Sequence, residues 1–189
     1  MSIQVVAQPE VVALPFTARL GDYVQLARPR IGVMVLVTAL LGMMLAGVAV
    51  EASSVVLMLA GTALVTVGAS ALNQLVERHS DAKMRRTENR PLPAGRLGAG
   101  EVLLFGGLVS SIGLALLFLL PTGPAAALIS AMTLVLYVAV YTPAKRRTWW
   151  NTFVGAVPGA MPPLIGWAAA RGSLAVESAP PVSYTHLRA

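Results

Sequence analysis

Three oxygen-bearing side chains recur at four-residue intervals near the middle of the chain. They are Asn73, Glu77 and Asp81, in the stretch NQLVERHSD. If one α-helix runs through them, each four-residue step turns about 40° past a full turn, so all three share one face over roughly 12 Å. Carboxylates and an amide oxygen suit Mg²⁺, which usually also keeps waters and binds substrate phosphates. The spacing therefore favours a magnesium site that binds a polyphosphate substrate.

Basic residues surround this candidate site along the sequence. One cluster follows it directly, and two others lie in ARPRIG, 27–32, and YTPAKRR, 141–147. The residues of the first cluster that could neutralise a polyphosphate are Lys83, Arg85, Arg86, Arg90 and Arg96. Arg28 and Arg30 precede the first apolar run, and Tyr141 and Lys145, four residues apart, could face one cavity. Arginine and lysine are the usual phosphate-binding side chains. Basic loops beside membrane helices are also ordinary topology signals, so the clusters by themselves leave both interpretations open.

The elements that must position these residues are strongly apolar. The 189 residues are 56% hydrophobic and only 12% charged, and the mean hydropathy is +0.73. Soluble domains carry roughly 25% charged residues, so the composition favours lipid as the solvent. The formal net charge of +6 would suggest nucleic acid in a soluble protein, but here the bases lie between apolar segments. We therefore expect no nucleic-acid partner, and the absence of cysteine excludes disulfides and thiolate chemistry.

Charge-free runs predict about five membrane-spanning helices. The predicted spans are 31–50, 52–76, 148–170 and the run 102–144, which PTGP at 121–124 divides into two. Basic residues precede the first span and fill the loops after the second and fourth. The positive-inside rule then places the N-terminus and both basic loops in the cytoplasm. The predicted fold is an all-α, multi-pass bundle in the inner (plasma) membrane.

The segment GAVPGAMPPLIGW, 155–167, is unusual for a helix that faces lipid. It contains three prolines and three glycines within thirteen residues. Helix breakers occur at membrane depth where neighbouring helices or a cavity satisfy the backbone. We expect the segment to line a cavity, and the alternative is close helix packing through small residues.

Three stretches resemble motifs of one known family. NQLVERHSDAKMRRTENRPLPAGRL, 73–97, resembles the first aspartate-rich motif of the UbiA superfamily of intramembrane prenyltransferases. YTPAKRRTWWNTFVGAVPGAMPPLIGWAAARG, 141–172, and QLARPRIG, 25–32, are similar to a second long signature and to the entry into the first helix. Within the superfamily, these motifs look most like the haem O synthase (protohaem IX farnesyltransferase) branch.

The resemblance implies a fold and a reaction. Residues 1–178 would form part of a nine-helix bundle, and the tail 179–189 would lie outside it as a non-native or disordered end. The implied reaction transfers a farnesyl group from farnesyl diphosphate to the vinyl group of haem b, which gives haem o and diphosphate. The implied cofactor is Mg²⁺, and a protein that hands haem on, such as haem A synthase, is an expected partner.

The resemblance also implies roles for individual residues. Asn73, Glu77 and Asp81 would hold Mg²⁺ against the diphosphate. Tyr141, Lys145 and one of Arg28 or Arg30 would contact the diphosphate oxygens. The residues that would cap the pocket are Arg85, Arg86 and Arg90.

Three alternatives remain at the level of sequence. One is a sister prenyltransferase that acts on a quinone precursor or chlorophyllide. Another is part of a membrane transporter, because broken helices and intramembrane polar groups also mark solute pathways. The third is a chain that is inert by itself.

Overall fold

The described part of the chain, residues 16–142 and 151–173 of a computed structural model, consists of helices joined by turns and loops, without a strand. The helices are α1 (Phe16–Ala27), α2 (Pro29–Leu45), α3 (Ala52–Asp81), α4 (Ala99–Phe118), α5 (Gly123–Val135, continued by a π-helical segment Leu136–Tyr141) and α6 (Asn151–Arg171). Side chains are described from residue 19 to 142 and from 155 to 173. The all-α prediction is confirmed, whereas the predicted tail 179–189 lies outside the described residues.

Several of these helices are long and apolar enough to cross a membrane. By length and composition they are α3, α4 and the continuous helix Gly123–Tyr141, with a fourth span if α1 and α2, bent by 41°, count as one. The helix α6 occupies the fifth predicted span but is not among those that meet these criteria. Large apolar side chains cover the outer surface, with Met34 71% and Leu119 69% exposed. Such a surface fits hydrocarbon, so the chain is a multi-pass membrane protein.

The longest helix continues past the membrane core. With 30 residues, α3 is about 45 Å long, whereas the hydrocarbon core of a bilayer is about 30 Å thick. It extends five residues beyond the predicted end of its span at 76 and so includes Asn73, Glu77 and Asp81. The helix thus projects these side chains toward one end of the bundle, which we call the site end.

Glycines allow α3 and α4 to approach closely. A Cβ atom on Gly68 would lie 2.7 Å from the carbonyl oxygen of Gly106, and one on Gly113 would lie 2.7 Å from that of Gly61. Small residues at such crossings let backbones approach, which strengthens packing between membrane helices. This pair therefore forms a firm support for the site on α3.

The proline-containing helix α6 packs in the same way against α2. A Cβ atom on Gly166 would fall on the carbonyl group of Ala39, and one on Gly42 would fall on that of Pro163. The helix α6 runs without a break through Pro158, Pro162 and Pro163. Close packing through small residues, the alternative interpretation of this segment, is confirmed for the face that meets α2.

Polar contacts anchor α1 and the loop 82–98 at the site end. The Gln74 Nε2 donates to the Leu26 carbonyl at 3.0 Å, and the Arg96 Nε donates to Asp22 Oδ1 at 2.8 Å. On α4, Glu101 accepts a hydrogen bond of 2.6 Å from the Tyr23 hydroxyl. The sequence patterns did not predict α1, which is short and carries charge. Its contacts hold the loop that follows α3 against the bundle.

Candidate functional site

The centre of the site is a pair of buried carboxylates on α3. Glu77 is 7% and Asp81 3% exposed, and Asn73, one turn before Glu77, is 3% exposed. The Nη1 of Arg90 lies 2.5 Å from Asp81 Oδ2 and 4.0 Å from Glu77 Oε2. Because one guanidinium reaches both carboxylates, these two side chains point to the same place. For these two carboxylates, the shared helix face expected from the spacing is present in the structure.

The amide of Asn73 joins α3 to the end of α5. Its Nδ2 donates to Thr142 Oγ1 at 2.9 Å, and the Thr142 hydroxyl in turn donates to the Tyr137 carbonyl at 2.7 Å. The nitrogen is thus engaged, and the oxygen is the amide atom that suits a cation. Sequence reasoning missed Thr142, although it adjoins Tyr141 in the YTPAK motif.

The loop after α3 folds back over the carboxylates. The Thr87 hydroxyl, on a residue only 4% exposed, donates to the Asp81 carbonyl at 2.9 Å and so closes the end of the helix. This turn brings Arg90 back to Asp81, whereas Arg85 and Arg86 are exposed on the same loop. Of the three loop arginines predicted to cap the pocket, the structure thus brings one to the carboxylates.

Arg28 stands at the bend between α1 and α2 in an unusual conformation. Its φ of 49° and ψ of 63° are left-handed, and it is the one non-glycine residue with positive φ in the described chain. A left-handed conformation costs an L-residue roughly 1–2 kcal/mol. The Nη2 is buried and has no hydrogen-bond partner among the described residues. Strain of this kind concentrates at functional sites.

Arg28 also lies close enough to the site to interact electrostatically with Tyr137. Electrostatic interactions join Tyr137 to Arg28, Glu77 and Arg90. Arg30, in contrast, is exposed on the first turn of α2. Of the two arginines that the sequence left as alternatives, Arg28 is therefore the one directed toward the site.

Arg28, Glu77, Asp81 and Arg90 together form what we call the charged cluster. Two tyrosines mark the boundary between this cluster and an apolar cavity. The rings of Tyr137 and Tyr141 stack with centroids 5.6 Å apart and an interplanar angle of 23°. Gly155 on α6 leaves room for them, because a Cβ atom there would lie 2.6 Å from the Tyr141 ring. Tyr137 was not predicted, although it precedes Tyr141 by one helical turn. Lys145 lies outside the described residues.

The cavity has a volume of about 390 Å³ and lies between α2, α3, α5 and α6. Small-molecule pockets typically have volumes of roughly 300–1000 Å³. Pro158 and Pro162 of α6 line it, so the expectation of a cavity behind the proline-rich segment is confirmed. Its walls are mainly apolar, and Ser70, one turn from Asn73, lines its end nearest the carboxylates. Such a site suits a molecule with an anionic head and an apolar tail.

A metal site stays a prediction. Across residues 16–142 and 151–173 there is no group of three or more His, Cys, Asp and Glu side chains that could hold a metal ion. The candidate set is smaller, with two carboxylates and one amide oxygen. Arg90 holds the position beside Asp81 that a cation would take.

Comparison with known proteins gives consistent results. The UbiA prenyltransferase family matches residues 35–186. A protoheme IX farnesyltransferase from Solibacter usitatus is 55% identical over 118 residues, which are 62% of this chain and 40% of the relative. Those from Opitutus terrae and Anaeromyxobacter sp. are 41% and 46% identical over 155 and 153 residues, which are 82% and 81% of this chain.

These alignments cover 52% and 51% of the Opitutus and Anaeromyxobacter proteins, so the chain spans about half the length of the curated relatives it matches. No solved structure matches the chain. The family match covers most of the chain and includes α3 with its buried carboxylates, the loop that carries Arg90 and the cavity-lining helix α6. The chain belongs to the UbiA prenyltransferase family.

Proposed function

We propose that this chain belongs to an enzyme that transfers a farnesyl group from farnesyl diphosphate to the vinyl group of haem b, with water as co-substrate and with haem o and diphosphate as products. The observation that carries the proposal is the junction of a charged cluster and an apolar cavity. At one end lie Arg90 and Arg28, whose buried Nη2 has no partner in the part of the chain that the structure describes, and at the other lies about 390 Å³ of mainly apolar space. The choice of donor and acceptor rests on the relatives, which are named protoheme IX farnesyltransferases.

The residues present fit Mg²⁺ as the cofactor. Asn73 offers an amide oxygen, and Glu77 and Asp81 offer carboxylates that already attract a positively charged group, Arg90. Mg²⁺ prefers oxygen ligands and is usually held by one or two carboxylates plus substrate phosphates. When bound, the metal would supply positive charge that neutralises the diphosphate leaving group.

The arginines have a direct role in bond cleavage. When the allylic C–O bond breaks, its electron pair passes to the diphosphate, and fixed cations stabilise the charge that develops there. Arg28 is suited to this role because its buried Nη2 has no hydrogen-bond partner among the described residues. Arg90 would exchange its contact with Asp81 for the diphosphate, and Tyr141 would add a contact from the wall of the cavity. Lys145 is proposed as a further diphosphate ligand.

The cavity protects the allylic cation that remains. Its mainly apolar walls keep water from capturing this cation before the haem vinyl group does. The new C–C bond leaves the positive charge on the vinyl carbon next to the porphyrin ring, and one water molecule then adds to that carbon and loses a proton, which gives the hydroxyl group of haem o. The proposed orientation follows from charge: the basic residues near the site end favour the cytoplasmic side of the inner membrane, with the N-terminus cytoplasmic. A haem-handling partner such as haem A synthase would then receive the product.

The test is an assay of membranes that carry the protein at its full natural length. They are incubated with farnesyl diphosphate, Mg²⁺ and either haem b or hydroxybenzoate, and products are identified by mass spectrometry. Haem o formation supports the proposal, whereas prenylated hydroxybenzoate would assign the protein to a sister activity. Absence of diphosphate release from the allylic substrate would overturn the enzymatic proposal and favour a transporter.

A matched pair of variants separates catalysis from folding. Asp81→Asn removes a proposed metal ligand, and Asp22→Asn alters another buried carboxylate, which pairs with Arg96. We expect the first change to abolish Mg²⁺-dependent diphosphate release. The second should leave most of this release, because Asp22 pairs with Arg96 in the loop 82–98 and is not a proposed metal ligand.

A further inference from the structure

The cavity has an end opposite the charged cluster. The lining residues of three neighbouring helices that lie farthest along the helix from the charged cluster are Thr62 on α3, Ser130 on α5 and Ile165 on α6. They are 2%, 1% and 4% exposed. These three buried residues, which we call the floor, bound that end of the cavity on three helices, whereas Thr38 of α2, which lines the cavity toward the same end, is exposed.

The helices give the depth of the floor below the charged cluster. Thr62 precedes Asn73 by eleven residues on α3, which corresponds to about 16 Å at 1.5 Å per residue. Ser130 precedes Tyr141 by the same number, along a helix that ends in a π-helical segment. Two independent helices thus place the floor at a similar depth.

We propose that the floor sets the longest prenyl chain that the site accepts, an inference that rests on the proposed binding of a prenyl diphosphate. An extended chain advances at most about 3.6 Å per three bonds, so a three-isoprene chain reaches roughly 13 Å, a two-isoprene chain roughly 8 Å and a four-isoprene chain roughly 18 Å. With the diphosphate at the charged cluster, a three-isoprene chain ends just above the floor. A two-isoprene chain leaves it uncovered, and a four-isoprene chain is too long.

Ser130 is the position in the floor that controls this length. Its Oγ is buried and has no hydrogen-bond partner within residues 16–142 and 151–173, whereas Thr66 and Thr133 donate to carbonyls of their own helices at 2.7 Å each. The small side chain, rather than its hydroxyl, thus matters for the space above the floor. Replacement of the Ser130 hydroxyl by a thiol should be tolerated, and a larger side chain at this position should shorten the cavity.

These 189 residues contain no cysteine, and any cysteine elsewhere in the full-length protein is replaced by serine, so single thiols can be followed without background. We compare Ser130→Cys at the floor with Ser70→Cys near the mouth of the cavity, both purified in detergent at full length. Each thiol is labelled with a small methanethiosulfonate in the presence of Mg²⁺ and geranyl, farnesyl or geranylgeranyl diphosphate. Geranyl diphosphate should slow labelling at least tenfold in Ser70→Cys alone, and farnesyl diphosphate should do so in both variants.

A second pair of variants tests the length limit itself. Ser130→Leu adds volume at the floor, and Ser111→Leu makes the same change on the exposed surface of α4. We expect the first to shift the farnesyl-to-geranyl affinity ratio at least tenfold toward geranyl, and the second to leave that ratio unchanged. Equal ratios in the two variants would overturn the proposal.

Other outcomes also decide the question. The proposal that the floor limits chain length would be overturned if geranyl diphosphate protected Ser130→Cys as well as farnesyl diphosphate does. It would also be overturned if Ser130→Cys were not labelled in the absence of ligand. Farnesyl protection of Ser70→Cys alone would do the same and would indicate that the chain leaves sideways past Met34, which lines the cavity and is 71% exposed. If no diphosphate protects either thiol, the proposed function fails. Protection of the same two thiols by farnesol is then compared with protection by geraniol, which tests the length limit without the diphosphate group.

Discussion

Replacement of Arg90 by methionine tests whether the carboxylates of α3 form a cation site. The Arg90 Nη1 lies 2.5 Å from Asp81 Oδ2, and the two side chains are 23% and 4% exposed. Removal of one partner from a buried ion pair costs about 3–5 kcal/mol, and we expect the lower end because Arg90 is partly exposed. At about 2–4 °C per kcal/mol, the unfolding temperature without Mg²⁺ should fall by roughly 6–12 °C.

Magnesium should reverse much of this loss. Once Arg90 is absent, Glu77 and Asp81 lack the guanidinium that attracts both, and the oxygen of Asn73 lies one turn away. Binding at a Mg²⁺ concentration about 100 times the dissociation constant stabilises the folded state by about 2.7 kcal/mol. The measurement is thermal unfolding of the purified protein in detergent, with Mg²⁺ or with EDTA.

Arg96→Met is the matched control. Arg96 belongs to the same loop and pairs at 2.8 Å with Asp22, whose side chain is 8% exposed. The same substitution should also lower the unfolding temperature, but a lone carboxylate offers Mg²⁺ too few ligands for recovery. Equal Mg²⁺ recovery in both variants, or none in Arg90→Met, would refute the reasoning.

Three further predictions concern stability and binding. Gly166→Ala should destabilise the protein by about 1–3 kcal/mol, because its methyl group meets a backbone carbonyl of α2, whereas Gly159→Ala on the same helix enters open space and should be neutral in detergent unfolding. Equal losses would contradict the close crossing. Arg28→Gly should be about 1 kcal/mol more stable than Arg28→Ala, since glycine accepts the left-handed conformation, and both should weaken prenyl diphosphate binding equally in titrations. Thr142→Val should cost about 1–3 kcal/mol by leaving the Asn73 amide nitrogen unpaired, whereas Thr142→Ser should retain the unfolding temperature; similar losses would argue against that hydrogen bond.

Local patterns were sufficient for most of the helices. The charge-free runs and the PTGP break predicted the helices α2 to α6, because hydropathy and proline act within one segment. The four-residue spacing of Asn73, Glu77 and Asp81 predicted their shared face because helical geometry depends only on the continuity of the helix. Hydropathy did not reveal α1, since that helix is held by contacts with residues far along the chain, such as Gln74 and Arg96.

The sequence by itself determined a membrane solvent, a helical class, a row of oxygen donors and a supply of cations, since these follow from composition and period. Only the tertiary structure decided which cations meet the donors. Arg90 returns to Asp81 through a turn closed by Thr87, and Arg28 rather than Arg30 is held toward the site by the bend between α1 and α2. The cavity and its floor also required the structure, because a space between helices is defined by their packing and by no single segment.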